Sequence, residues 1–282
     1  MRDFLISWVN DIFGEGLFSS VEGVLKMNPS TAPFDSVWSI VQTLYNNVCV
    51  PIAMGLVLIY FMVNLIEKST QQQSLDLEHV IKLLLKLVIG LYFIEHGLEL
   101  MASIYEISFG FLNNIIGQNK ASDIMPANIA ADVWKELADE DINANIKWGV
   151  LDTIGKGMLI LLELVFPWLC TIIMKVVINF VCYTRLIEFY IKTIAAPIAL
   201  SDFFTEGVHG NGWKFIKGYI AIALQAGIIM LAVVVFNGIA DGIFAGAGSG
   251  YWAFLIKYLA LGFAAIGVMI KSLSLTKEIV GA

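Results

Sequence analysis

Long apolar runs constrain the fold of this 282-residue sequence more than any other feature. Hydrophobic residues make up 58% of the chain and charged residues only 15%, whereas soluble domains are nearer to half apolar and a quarter charged. About 20 apolar residues span the hydrocarbon core of a bilayer as a helix, so these runs predict an all-α integral membrane protein. No polar stretch is long enough to form a separate soluble domain.

Five runs reach the length of a membrane span. They cover residues 48–66, 80 to beyond 102, 154–195, 216–236 and 252–270, and the first extends back to residue 35 if the helix is longer. The third run is twice the usual length. We interpret it as one helix because it has no turn signal near residues 179–184, and two crossings there are the alternative.

An amphipathic helix precedes the first span. Its apolar residues recur at helical spacing, and acidic and amide side chains occupy the other side. The apolar residues are Phe4, Leu5, Trp8, Val9, Ile12 and Phe13. Such a helix is too polar to span a bilayer, so it lies in the membrane interface or packs on the protein's own helices. Both interpretations stay open at this point.

Charges near the span ends predict the orientation, because lysine and arginine are enriched in cytoplasmic loops. Placing Lys271 and Lys277 inside also places Lys214 and Lys217 inside, and leaves the acidic segments outside. We therefore expect an N-terminus outside and a C-terminus inside. The expected segments are an extracytoplasmic amphipathic segment at 1–34, the first two transmembrane helices at 35–116, an acidic extracytoplasmic loop at 117–149, and the last three transmembrane helices at 150–282.

The third run carries a stripe of charged side chains. On an ideal helix, Asp152, Lys156, Glu163, Arg185, Glu188 and Lys192 fall within a sector of roughly 60°. Ionisable residues inside spans are costly, so a functional interpretation is the default. We expect Lys156, Glu163, Arg185, Glu188 and Lys192 to line a conduit or a subunit interface. The alternative is a solvated helix end with local ion pairs.

Three further patterns single out residues on the apolar runs. Pro197 is expected to break the third run, with Ala196 and Asp202 beside the break and a cytoplasmic connection at 193–214. In the second span, carboxylates share one face that is expected to meet water or partner lysines; they are Glu95, Glu99 and Glu106. Small residues every four positions favour close helix packing; they are Gly238, Gly242 and Gly246.

Composition and motifs argue against several functions. A net charge of −7 argues against capture of nucleic acid over the whole surface. No phosphate-binding loop, nucleophile elbow or zinc motif is present, so we expect neither an enzyme nor a metal or cofactor site. The three cysteines, Cys49, Cys170 and Cys182, lie in apolar segments and are expected to be buried free thiols.

One stretch resembles a known family. It contains Arg185, Glu188, Ala196-Pro197-Ile198-Ala199, Asp202, Gly207, Gly212 and Phe215-Ile216-Lys217, followed by an apolar span with Gln225. These residues resemble the TrbL-like polytopic channel subunits of bacterial conjugative type IV secretion systems. The long helix, the proline-containing break, the short polar connection and the further span all correspond to the family pattern.

The resemblance implies a non-enzymatic homo-oligomer in the bacterial cytoplasmic membrane. Such subunits help pass single-stranded DNA and its attached relaxase across the membrane, together with other secretion-system subunits and separate ATPases. Membrane lipid is the remaining expected partner. The alternative function is a secondary transporter of a small solute, because a broken helix and intramembrane Lys/Glu residues also suit a solute site.

Overall fold

Every secondary-structure element described in this computed structural model is helical, which confirms an all-α membrane protein. The structure describes residues 2–14, 19–31, 33–70, 77–118, 135, 150–202, 210–244 and 251–282. The helices are α1 (Arg2–Val9), α2 (Ser19–Leu25), α3 (Asp35–Leu44), α4 (Val50–Thr70), α5 (Leu77–Glu95), α6 (Gly97–Gln118), α7 (Val150–Ser201), α8 (Asn211–Phe244) and α9 (Tyr251–Val280). π-helical turns at Asn10–Gly14 and Tyr45–Cys49 follow α1 and α3. The expected acidic loop at 117–149 lies almost entirely outside these described residues.

Four described helices are long and apolar enough to cross a membrane, where the sequence predicted five spans. They are Asp35–Glu67, Gly157–Ser201, Asn211–Phe236 and Leu255–Val280. The first includes α3, the π-helical turn and most of α4, so the longer form of the first span is confirmed. The structure differs from the prediction at the second span, which is divided into α5 and α6.

A tyrosine inserted into the helix explains this division. The Tyr45 hydroxyl donates a hydrogen bond to the Ile94 carbonyl oxygen, 2.9 Å away, and the backbone N–H of Leu98 bonds to the same tyrosine. In a regular helix those two backbone groups would bond to each other. Side chains that insert into this ladder kink a helix. Gly97 lies at the kink, and any β-carbon there would meet the Tyr45 hydroxyl.

The chain forms two compact units, each built from separated parts of the sequence. Unit 1 comprises Met1–Lys26, Leu112–Tyr183 and Gly227–Ser272, and unit 2 comprises Met27–Phe111, Thr184–Ala226 and Leu273–Ala282. In unit 1, Leu5 and Val9 of the amphipathic α1 are fully buried, and the Tyr258 hydroxyl donates to the Ile12 carbonyl oxygen at 3.3 Å. The apolar face of α1 therefore packs on the protein's own helices.

The core of unit 2 is aromatic as well as aliphatic. Tyr45, Tyr105, Phe189 and Tyr219 are buried together with aliphatic residues from α4 to α8. Phe189 lies at the centre, with ring centroids 4.7 Å from Tyr105 and 5.4 Å from Tyr219. Aromatic pairs at these separations add to the stabilisation from apolar burial.

Helix α7 is continuous for 52 residues, from Val150 to Ser201. At 1.5 Å per residue it is about 78 Å long, well over twice a typical hydrocarbon core. The expectation of one long helix over residues 154–195 is therefore confirmed over the alternative of two crossings. The expected break at Pro197 is wrong, because the helix passes through that residue.

Pro197 lies inside α7 and does not end it. A proline removes one backbone donor, and in membrane proteins neighbouring groups can satisfy the carbonyl that is freed. Pro197 is buried in the last turn but one, and Ser201 closes the helix end by donating from Oγ to the Ile198 carbonyl oxygen at 2.7 Å. The break lies after Ser201, four residues later than expected.

Candidate functional site

Arg185 is the most buried charged side chain described in unit 2, with 5% of its surface exposed. From α7 its guanidinium reaches two main-chain oxygens of α8. Nε donates to the Ile222 oxygen at 3.2 Å, and Nη2 donates to the Ala223 oxygen at 3.3 Å. It also donates to the Tyr105 hydroxyl of α6. One cation therefore ties three helices of unit 2 together, and a planar guanidinium suits that task because its donors point in several fixed directions.

Two tyrosines of this core hold the segment that precedes α3. The Tyr105 hydroxyl donates to the Met27 carbonyl oxygen at 3.3 Å, and the Tyr190 hydroxyl donates to the Pro29 carbonyl oxygen at 2.9 Å. Arg185 and Tyr105 thus form a chain of hydrogen bonds from α8 to the Met27 backbone. Burial of these hydroxyl groups would be unfavourable without such partners.

A second polar contact lies about two turns beyond Arg185 on α7. Thr193 Oγ1 and the Tyr219 hydroxyl are 3.0 Å apart, and both are buried. The Tyr219 hydroxyl also donates to the Met101 carbonyl oxygen at 3.4 Å. We call Arg185, Tyr105, Thr193 and Tyr219 the Arg185 cluster. The hydrogen bonds of this cluster connect α6, α7 and α8.

The predicted stripe of charges is divided by its surroundings. Glu188 and Lys192 are half-buried, and the Lys192 Nζ lies 3.5 Å from a Glu188 carboxylate oxygen. In unit 1, Glu163 is exposed. The side chain of Lys156 is outside the described part of the structure. A conduit or subunit interface along this stripe stays a prediction, and burial gives Arg185 an attachment role within the chain itself.

The predicted carboxylate face remains exposed. Glu95 ends α5, and Glu99 and Glu106 lie on α6; all three side chains are exposed. The opposite side of α6 is buried through Met101 and Tyr105. The kink separates Glu95 from the other two carboxylates. Helix α6 is amphipathic, and its polar face requires water or a polar partner.

Asp202 lies at the true break and caps the next helix. Its Oδ2 accepts a hydrogen bond from the backbone N–H of Asn211, 3.0 Å away, where α8 begins. The first backbone N–H groups of a helix lack intrahelical partners, and a carboxylate at that end is favourable. Of the predicted motif, Asp202 therefore marks the break, while Ala196 and Pro197 are buried within α7.

Removing this cap should weaken the start of α8. We expect Asp202→Ala to lower the free energy of unfolding by about 1 kcal/mol, the usual effect of losing a cap. Asp202→Asn should lose less, because its amide oxygen can still accept the bond. Thermal unfolding of the purified protein in detergent measures both. Equal losses for the two variants would contradict the capping role.

Of the predicted helix-packing glycines, Gly238 has surroundings that the structure describes. A β-carbon on Gly238 would meet no atom within 4 Å, so no neighbouring helix packs against it here. Gly242 lies within α8, and Gly246 is outside the described residues. Packing of this surface against a second copy of the chain stays a prediction.

The cysteine prediction agrees with the structure. Cys49, Cys170 and Cys182 are free thiols and are buried, as expected from their apolar segments.

Among the described residues, no group of three or more His, Cys, Asp or Glu side chains could hold a metal ion. The transporter alternative loses the broken helix at Pro197, one of the two features on which it was based.

The sequence interpretation missed the tyrosines and Gly97. Tyr45, Tyr105, Tyr190 and Tyr219 lie on helices, and each hydroxyl group donates to a main-chain oxygen from another part of the chain. Repeated tyrosines within or beside the apolar runs are a usable signal, because buried hydroxyl groups need partners. No pattern in the sequence indicated which backbone group each one would meet.

Comparison with known proteins gives a family match. The sequence model of a family described as "TrbL/VirB6 plasmid conjugal transfer like protein" matches residues 19–197, more than half of the 282 residues. The matched region extends from α2 almost to the end of α7 and includes Arg185, Tyr105 and Tyr45. Asp202 and the glycines that follow it lie beyond the match. Neither a curated protein nor a solved structure matches the chain.

Proposed function

This chain belongs to the TrbL/VirB6 plasmid conjugal transfer-like family, and on that premise we propose that it is a channel or scaffold subunit through which single-stranded DNA crosses the cytoplasmic membrane. Membership of this family implies that the chain is a component of a type IV secretion system for conjugal transfer. The proposed finer role is to help pass DNA with its attached relaxase. Its partners would be further copies of itself, other membrane subunits and separate ATPases.

The polar face of α6 carries this proposal. Glu99, Ser103 and Glu106 are exposed on one side of a helix whose other side is buried in unit 2. Exposed carboxylates on a helix of a membrane protein face water or a polar partner. A carboxylate surface repels phosphates, so DNA would move past it without being held. We therefore assign this face to the border of an aqueous path.

The Arg185 cluster supports the same role in another way. By fixing α6, α7 and α8 in unit 2, it holds the polar face of α6 in one position. The proposed orientation has the N-terminus outside and the C-terminus inside, supported by the lysines near the C-terminal span ends. Homo-oligomerisation would complete the wall of the path, since the exposed apolar side chains of α7 leave room for neighbouring copies or lipid.

The test is site-specific crosslinking of DNA during mating. A photo-crosslinking amino acid placed in turn at positions 99, 103 and 106 should capture transferring DNA. The matched control is position 107, whose isoleucine is 75% exposed on an adjacent, apolar side of the same helix. Precipitation of the tagged protein followed by amplification of the transferred strand measures capture, which we expect to be at least tenfold lower at position 107.

A deletion strain separates the role in conjugal transfer from the proposed position of the α6 face at the DNA path. An in-frame deletion should reduce mating to background, and normal mating in that strain would overturn any role in transfer. If deletion stops transfer but DNA is captured equally at 106 and 107, or at neither, the α6 face does not border the path. Separate variants at each position keep a single failure to fold from deciding the result.

A further inference from the structure

Three half-buried lysines of unit 2 come from three helices, and two of them make contacts at the end of α9. They are Lys192 of α7, Lys217 of α8 and Lys277 of α9, which we call the lysine cluster. The Lys192 Nζ lies 3.8 Å from the place where a β-carbon on Gly218 would stand. Lys277 is close enough for its charge to act on Lys192. The Lys217 Nζ donates to the Gly281 carbonyl oxygen at 3.1 Å, just beyond the end of α9.

The contacts described for the three lysines include one carboxylate. The Glu188 carboxylate, 3.5 Å from the Lys192 Nζ, offsets one of the three charges. The described acceptor of Lys217 is an uncharged carbonyl group, although an ammonium group has three donors. All three lysines are half-buried, so water screens their mutual repulsion less well than at an open surface. An anion placed among them would relieve that repulsion.

The position of the cluster indicates which anion fits. Each lysine belongs to a helix that is long and apolar enough to cross a membrane, and Lys217 and Lys277 lie near helix ends. Trp213, in the first turn of α8, is half-buried nearby in sequence, and tryptophan is typical of the headgroup layer. Gly218 leaves space beside the Lys192 ammonium group. Basic pockets between helices at this depth suit lipid headgroups.

We propose that the lysine cluster binds the phosphate group of an anionic phospholipid. Half-burial between three membrane helices favours a lipid phosphate over a nucleic acid phosphate, since a lipid reaches this depth from the bilayer itself. The site is separate from the carboxylate face of α6, and it does not depend on a role in DNA transfer. The bound lipid would hold α7, α8 and α9 of unit 2 together at this position.

The test is lipid binding to the purified full chain in detergent, measured by native mass spectrometry. The wild-type protein should bind phosphatidylglycerol at least tenfold more tightly than zwitterionic phosphatidylcholine. The K192Q/K217Q variant should bind phosphatidylglycerol roughly 30-fold less tightly, since each lysine near the surface contributes about a factor of five. The matched control is K82Q/K86Q, which removes two lysines from α5 and should change binding less than twofold.

A second variant guards against a folding artefact. Gly218→Leu keeps every charge but fills the space beside the Lys192 ammonium group, so it should also weaken phosphatidylglycerol binding at least tenfold. Circular dichroism confirms that each variant is folded. Unchanged phosphatidylglycerol binding in both variants overturns the proposal. A thymidine 12-mer provides the other arm: if both variants lose oligonucleotide binding and keep lipid binding, the site is for nucleic acid and the proposal is overturned.

Discussion

Replacing Arg185 with alanine is expected to lower the free energy of unfolding by about 3 kcal/mol. The change removes charge-assisted hydrogen bonds to two main-chain oxygens and leaves a cavity in the aromatic core of unit 2. For a chain of this size the melting temperature should fall by roughly 6 to 12 °C. Thermal unfolding of the purified protein in detergent measures the shift, and mating frequency should fall with it.

Two conservative replacements separate charge from shape at this position. Arg185→Lys keeps the charge but cannot reproduce the fork of donors, so we expect an intermediate loss of about 1 to 2 kcal/mol. Arg185→Met fills much of the volume without any donor. Apolar groups can replace some buried charges without loss of stability. If Arg185→Met is as stable as the wild-type protein, the polar contacts of Arg185 add no stability beyond that of apolar packing.

The matched control is Lys175→Ala. Lys175 is another cation of α7 and is half-buried, but it lies on a different face of the helix. Its removal should shift the melting temperature by no more than about 2 °C, the range of ordinary surface substitutions. An equal loss from Lys175→Ala would show that the charge content of α7 matters, rather than the contacts of Arg185.

Gly97→Ala is expected to have the second largest effect, a loss of about 1 to 3 kcal/mol. The added methyl group would contact the Tyr45 hydroxyl and would stand 3.1 Å from Leu200 Cδ1, and inserting carbon into a packed core forces the surroundings to move. In contrast, a β-carbon on Gly110 of the same helix meets nothing within 4 Å. Gly110→Ala should therefore be neutral or slightly stabilising, since alanine is the better helix former.

A double-mutant cycle identifies Tyr45 as the cause. Tyr45→Phe removes the hydroxyl that a methyl group on Gly97 would contact, so Gly97→Ala should be at least 1 kcal/mol less harmful in the Tyr45→Phe background. Tyr45→Phe alone should cost about 1 kcal/mol through the lost bond to Ile94. Strictly additive losses in the thermal unfolding of the four proteins would contradict the insertion of Tyr45 into this helix.

The length of the apolar runs predicted the helices well because a bilayer imposes a fixed length on any segment that crosses it. The long first span followed from this reasoning, and helix α7 followed from it together with the missing turn signal near residues 179–184. The second span did not, because its kink comes from Tyr45, a residue about 50 positions away that no local pattern connects to Ile94. Tertiary contacts of this kind are invisible to a periodicity argument.

The charged residues show the same limit. The helical sector placed Arg185 beside Glu188 and Lys192 correctly, because side-chain direction follows from the helix repeat alone. Whether that sector meets water or protein depends on the neighbouring helices. Here α8 covers Arg185 and leaves Glu188 and Lys192 half-buried. The effect of Pro197 on α7 is a similar case, since it depends on whether neighbouring groups satisfy the carbonyl group that a proline frees.

The acceptors used by Arg185 and the tyrosines have an evolutionary consequence. Arg185, Tyr45 and Tyr190 all donate to main-chain oxygens, and every residue type carries such an oxygen. The residues that supply those oxygens, including Ile222 and Ile94, are therefore free to exchange for other apolar residues of similar size. Among homologous chains we expect the donor residues to be conserved, while the residue type at the acceptor positions varies. These attachments would then leave no pair of covarying positions in an alignment.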